Sequence, residues 1–255
     1  MSRKRRSSPP LPGSSVCWTS RKDLRSLRRA VEKPDAIVFD FDLTLADSSE
    51  AFVASHGFAA RQLGLPPPDA AAILRTIGTP LLRAVPMLYG EAVQPLADEY
   101  VRIYQARADE VMTPLTLMLP GAAEAVRSLR EAGPRLAIVS QKLRYRVVDV
   151  LERERLLDCF DAVLGGEDLP DFKPDPRGLL IALDRLGVPP ARGVFVGDTT
   201  IDAETARRAG VRFVGVLTGA TSRAELEAYR PAAVLDSVGG LPRLFGLRES
   251  GPRRP

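Results

Sequence analysis

The stretch Ala36-Ile37-Val38-Phe39-Asp40-Phe41-Asp42-Leu43-Thr44 decides the fold, because a short apolar run stops on two carboxylates and a hydroxyl. The run follows Pro34-Asp35 and carries β-branched residues, the pattern of a strand covered on both faces. Along an extended chain Asp40 and Asp42 lie on one side, about 7 Å apart. The carboxyl end of such a strand is where an open α/β sheet does its chemistry. Two carboxylates this close repel unless a cation stands beside them, and hard oxygen donors suit Mg²⁺. A plain Asp-rich turn after a strand is the alternative, and this stretch alone does not choose between the two.

Three later segments do. Leu136-Ala137-Ile138-Val139 is a second buried strand, delivering the hydroxyl of Ser140 at its end. Phe172-Lys173-Pro174-Asp175-Pro176 fixes one lysine between prolines just before a predicted helix. Val194-Phe195-Val196-Gly197-Asp198 is a third strand ending in a glycine turn, with Asp202 four residues on. Alone, Ser140 reads as a turn residue, Lys173 as a solvated loop charge, and Asp202 as an acid favourable near a helix start. Their common placement at strand ends and helix starts brings them to one edge of a parallel sheet.

With these four segments in this order, the chain resembles the haloacid dehalogenase superfamily of phosphotransferases. The motifs Asp-x-Asp-x-Thr, Ser/Thr, Lys and Gly-Asp-x-x-x-Asp stand here as Asp40 to Thr44, Ser140, Lys173 and Gly197 to Asp202. Ile77-Gly78-Thr79-Pro80-Leu81 and Gly165-Gly166-Glu167-Asp168-Leu169-Pro170 are similar to its phosphoglycolate phosphatase-type members. So are Ala209-Gly210-Val211 and the segment 231–237.

The resemblance implies a Mg²⁺-dependent phosphatase with Asp40 as nucleophile, forming an aspartyl-phosphate. It implies Mg²⁺ on the side chains of Asp40 and Asp198 and the main-chain carbonyl of Asp42, with Asp202 and Thr44 in support. Asp42 is the implied proton donor to the leaving oxygen and acceptor from the attacking water. Ser140 and Lys173 hold the transferring phosphoryl group. A dehalogenase lacks a carboxylate at the Asp42 position, since halide leaves without a proton; Asp42 therefore favours a phosphatase or mutase. Leu43 and Gln141 depart from the glycine and asparagine usual at those places. Leu43 excludes a comfortable positive φ. β-Phosphoglucomutases carry a cap histidine at the position of Phe52, so a mutase is disfavoured, and His56 receives no role.

The predicted architecture is a doubly wound, Rossmann-like parallel sheet over 35–47 and 116–246, with a helical C1-type cap inserted at 48–115. Cap helices are predicted at 51–63, 69–77, 80–88 and 94–111, with hinges at Asp47-Ser48 and Leu119-Pro120-Gly121. Gly78 and Thr79, with Arg75 and Arg83, are the cap's candidates for reading the substrate beyond its phosphate. Residues 1–34 form a basic tail in which Arg3, Lys4, Arg5, Arg6 and six further cations face only Asp23 and Glu32, with a short helix expected at 21–32. Residues 247–255 form a loose end.

The 255 residues are 45% hydrophobic and 27% charged, and no apolar stretch approaches a membrane span. Cys17 and Cys159 suggest neither a disulfide framework nor a metal cluster, so the cytoplasm is the expected home. The expected partner is a small phosphate ester, with 2-phosphoglycolate the expected substrate, acted on by a monomer or homodimer. Pyrophosphate, a sugar phosphate or a nucleotide stays open as substrate. A non-catalytic scaffold, or nucleic-acid binding through the basic tail, are the rivals from other classes.

Overall fold

The computed structural model describes residues 32–247; the expected helix at 21–32, almost all of the basic tail, Cys17 and the loose end from 248 lie outside them. Its centre is the run that opened the sequence. Strand β1 (Ala36–Phe39) is wholly buried, and its side chains alternate between two layers. Ile37 and Phe39 pack with helices α5 (Ala122–Glu131), α6 (Arg144–Arg153) and α10 (Leu241–Leu244). Ala36 and Val38 pack with α7 (Arg177–Arg185), α8 (Thr200–Ala209) and α9 (Arg223–Glu227). Burying an aromatic or branched side chain here contributes about 1.5–3 kcal/mol each, which is why a four-residue strand anchors the sheet.

Five more strands complete it: β4 (Arg135–Val139), β5 (Ala162–Leu164), β6 (Gly193–Gly197), β7 (Arg212–Val216) and β8 (Ala233–Leu235). Their order is β5-β4-β1-β6-β7-β8, every pair parallel. The chain winds outward from β1 through β4 to β5, then returns to the other side of β1 at β6. The carboxyl ends of β1, β4 and β6 therefore meet at the switch point, the crevice of an open α/β sheet.

Between β1 and β4 stand α1 (Ser49–Gln62), α2 (Ala70–Leu74), α3 (Leu81–Tyr89) and α4 (Ala97–Leu115). They build a separate apolar cluster that includes Ala59, Val85, Tyr100, Tyr104 and Met112. Two local boundaries differ from the sequence expectation. The stretch expected to be helical from Gln94 opens as a 3₁₀ turn over Glu91–Leu96 containing Pro95, and the α-helix proper starts at Ala97; proline has no N–H for an α-helical bond. Helix α2 stops at Leu74, before a turn in which Gly78 adopts φ 82°.

The helical unit joins the sheet through a ribbon that periodicity does not reveal. Strands β2 (Ala46–Asp47) and β3 (Leu117–Met118) pair antiparallel, Ala46 opposite Met118. Two-residue strands have no period to read. Leu119, in the expected second hinge, lies on the sheet side of this ribbon and donates its N–H to Leu45 O at 2.9 Å. Among the described residues no helix is long and apolar enough to cross a membrane.

Candidate active site

Strand register places the first carboxylate. The Asp40 N–H donates to Val196 O at 2.9 Å, which continues the β1–β6 ladder one residue past Phe39. Beyond it the chain turns back on itself, with Phe41 O accepting from Leu45 N at 2.9 Å and Ala46 N at 3.1 Å. The turn puts Leu43 at φ 57°, in the left-handed region. The sequence reading held that leucine excludes this conformation. It is corrected here: Leu43 N donates to Ala46 O at 2.7 Å and Leu43 O accepts from Thr218 Oγ1, so the bonds around the residue offset a penalty of roughly 1–2 kcal/mol.

Asp40, Ser140, Lys173, Asp198 and Asp202 are brought together, all buried. Lys173 Nζ lies 2.8 Å from Asp40 and 2.7 Å from Asp202. Thr44 Oγ1 donates to Asp198 at 2.9 Å. The other Asp202 oxygen accepts from Thr199 N and Oγ1, closing the capping box of α8. Both Asp202 oxygens are thus engaged within the protein, which suits a carboxylate that orients its neighbours. Close packing leaves no spare room: a Cβ on Gly197 would stand 2.5 Å from Asp202 Cβ, and one on Gly219 only 1.9 Å from Asp198 Oδ2.

Electrostatics define what the cluster accepts. Burial raises Asp40 to about 7, with Lys173 pulling it down and Asp202 pushing it up. Asp198 is also raised, first by burial and then by Asp202 and Asp40. Burial presses Lys173 down, but Asp202 and Asp40 outweigh it and hold the ammonium above its ordinary value. One oxygen from each of Asp40, Asp198 and Asp202 lies within 4.8 Å of the others. Three crowded carboxylates facing one lysine are short of positive charge, and an all-oxygen donor set fits a hard divalent cation.

Asp42 has a different environment. Its carboxylate is turned to Lys142 Nζ at 2.9 Å and accepts from Ser48 Oγ at 2.7 Å. Ser48 in turn lies 2.9 Å from Thr116 Oγ1, so residues of both strands' continuations into the helical unit meet beside Asp42. The sequence reading missed Lys142, Ser48, Thr116 and Gly219. Lys142 carried a signal: it follows Ser140 by two residues, the same spacing as Asp40 and Asp42. Ser48 and Thr116 carried none, since their proximity is made by the β2–β3 ribbon.

A cavity of about 570 Å³ opens over this cluster, lined by Asp40, Asp42, Ser140 and Lys173 on one side and by Gly78, Thr79, Arg83 and Phe52 on the other. Arg75 is not in its lining: α2 and the turn that follows it bury Ile73, Thr76 and Ile77 and leave Arg75 exposed. His56 is buried away from the cavity, its Nδ1 3.0 Å from Tyr100 Oη and its ring against Tyr104.

The switch point of the doubly wound sheet thus gathers an aspartate paired to a buried lysine and a trio of buried carboxylates whose oxygens suit a hard cation. The chain belongs to the haloacid dehalogenase-like hydrolase family, which it matches over residues 37–216, and it is a phosphatase of that family. It is 35% identical over 225 residues to the "Probable phosphatase IndB" of Dickeya dadantii, covering 84% of this chain and 96% of that protein. The phosphoglycolate phosphatase of Pseudomonas putida is 30% identical, over 82% of this chain and 78% of its own length. The pyrophosphatase PpaX of Bacillus velezensis is 30% identical, over 84% and 97%. The crystal structure of a haloacid dehalogenase-like hydrolase from Bacteroides fragilis superposes with a TM-score of 0.78 at 36% identity, covering 82% of this chain and all of that one.

Proposed function

We propose that this protein is a Mg²⁺-dependent phosphatase that hydrolyses 2-phosphoglycolate through an aspartyl-phosphate on Asp40. The observation that carries the reading is the separation of two carboxylates from one strand end: Asp40 stands against Lys173, and Asp42 against Lys142 and Ser48. This separation supports attack by the first and proton transfer by the second. Asp40 and Asp198, with the main-chain carbonyl of Asp42, would hold the cation. When bound, Mg²⁺ neutralises charge on the phosphoryl oxygens.

In the first step an Asp40 oxygen bonds to phosphorus while the bond to the leaving oxygen breaks, and Asp42 delivers a proton to that oxygen. In the second, Asp42 takes a proton from the water that attacks the aspartyl-phosphate, which frees Asp40 and phosphate. Ser140 and Lys173 hold the phosphoryl oxygens in both steps. The helical unit over the cavity limits bulk water around the acyl phosphate. The expected setting is the cytoplasm.

Two-carbon specificity is supported by Gly78 and Thr79 at the cavity and by relatives named phosphoglycolate phosphatase. A second reading, pyrophosphatase, is favoured by the relative PpaX. Screening the purified protein with Mg²⁺ against a panel of phosphate esters and pyrophosphate tests both. kcat/KM for 2-phosphoglycolate is expected to exceed that for glucose 6-phosphate by about tenfold or more. Better turnover of sugar phosphates removes the phosphoglycolate reading and leaves the chemistry at Asp40 standing.

A further inference from the structure

We propose that Lys142, with Gln141 beside it, is the specificity-determining subsite for a negative charge carried by the leaving group. The proposal rests on the phosphatase reading above and deepens it. Lys142 lies in the cavity wall on the Asp42 side, where the leaving oxygen receives its proton. Lys173 stands on the opposite side, against Asp40 and Asp202. The two buried lysines thus divide the site: one serves the transferred phosphoryl group and the other faces what departs.

Three observations make Lys142 a reader of substrate as well as a partner of Asp42. Its ammonium has three donors, of which Asp42 at 2.9 Å and Ser48 Oγ at 3.1 Å take two. The third meets Met112 Sδ at 3.1 Å, a weak acceptor that an anionic oxygen would replace with gain. Gln141 lines the same cavity, and neither its Nε2 nor its Oε1 has a hydrogen-bond partner, although both atoms are buried. Buried polar atoms left unpaired in a cavity wall are supplied by what binds there. The Phe52 ring lies 4.9 Å from the Lys142 ammonium and holds it in place without neutralising it.

Of the acidic groups in the same wall, Asp42 pairs with Lys142 and Asp40 with Lys173; when Asp42 carries the proton for the leaving oxygen, the Lys142 charge is left for the substrate. Glu167 turns both oxygens onto the Arg144 N–H at 3.0 Å, and Asp171 is exposed and faces Arg177. Of the cavity's other cations, Arg146 is held by Asp109, and Arg83, on the helical unit, is exposed, where water and salt weaken its pull. A buried ammonium beside the leaving group selects a compact ester whose leaving fragment bears a carboxylate or phosphate.

The test compares 2-phosphoglycolate and pyrophosphate with 2-hydroxyethyl phosphate, a two-carbon ester without the second anion. In the wild type the ratio of kcat/KM for the better anionic substrate to that for 2-hydroxyethyl phosphate exceeds one. Lys142→Met lowers this ratio about tenfold or more, and Lys142→Arg retains part of it. Gln141→Ala lowers it in the same direction and reads the same subsite should Lys142→Met not fold. An equal loss on all substrates makes Lys142 a holder of Asp42 only and overturns the proposal. A larger fall in the ratio for Arg83→Ala than for Lys142→Met overturns it as well, by moving the anion to the helical unit. A wild type that prefers neither anionic substrate overturns it while leaving the phosphatase intact; failure to turn over any ester sinks the phosphatase reading instead.

Discussion

Lys173 reaches Asp40 with an Nζ–Oδ1 distance of 2.8 Å, and both side chains are buried at the carboxyl end of the sheet. The pair joins a loop before α7 to the end of β1, and its lysine also touches Asp202 at 2.7 Å. A buried ammonium shared by two carboxylates favours the charged form of Asp40, but burial outweighs it and holds that carboxyl at about 7.

Asp40→Asn is expected to lower kcat by about three orders of magnitude or more, because an amide is neither nucleophile nor anionic ligand. Single-turnover assays with radiolabelled phosphate ester measure it, and retention of wild-type turnover rules out an aspartyl-phosphate at this residue.

Asp42→Asn should leave metal affinity nearly unchanged, since only the main-chain carbonyl is assigned to the cation. It should slow alkyl esters more than p-nitrophenyl phosphate, whose leaving group needs no proton. Equal slowing of both esters argues against acid catalysis by Asp42.

Removal of divalent cations with EDTA is expected to silence the enzyme, and Mg²⁺ to restore it. Ca²⁺ should inhibit, because its larger and looser oxygen shell misplaces the reacting groups. Full activity after chelation and dialysis would take the cation out of the account.

Gly219→Ala should weaken Mg²⁺ activation by about tenfold or more, because its Cβ would stand 1.9 Å from Asp198 Oδ2 and displace that ligand. The readout is the Mg²⁺ concentration giving half-maximal activity, with the melting temperature alongside. An unaltered Mg²⁺ requirement would show that Asp198 is free to move.

His56 supplies a pH dependence away from the cation site. Burial lowers it from 6.5 to about 4, so the folded state favours the neutral ring. Its contribution to stability is present above pH 6.5 and is lost as pH falls toward 4, by about 3 kcal/mol at the full extent of the window. Melting curves between pH 7 and 4.5 should decline less steeply in His56→Gln than in the wild type; parallel curves would remove His56 from the acid response.

Sequence alone determined the doubly wound sheet, because strands buried on both faces read as short apolar runs such as Ala36–Phe39 and Val194–Val196, with helices between them. It also determined Asp40, Ser140, Lys173, Asp198 and Asp202 as one cluster, since strand ends in a parallel sheet share an edge whatever the sequence distance between them. Tertiary structure alone decided the surroundings of Asp42. Lys142, Ser48, Thr116 and Met112 meet there only because the β2–β3 ribbon folds the two connections together and α4 ends above them. It also decided that Leu43 turns left-handed and that Arg83 reaches the cavity while Arg75 does not. The physical reason is range. Periodicity and turn chemistry act over a few residues and are written locally, whereas a hydrogen bond between residues 94 positions apart, as from Lys142 to Ser48, exists only once packing has set the distance.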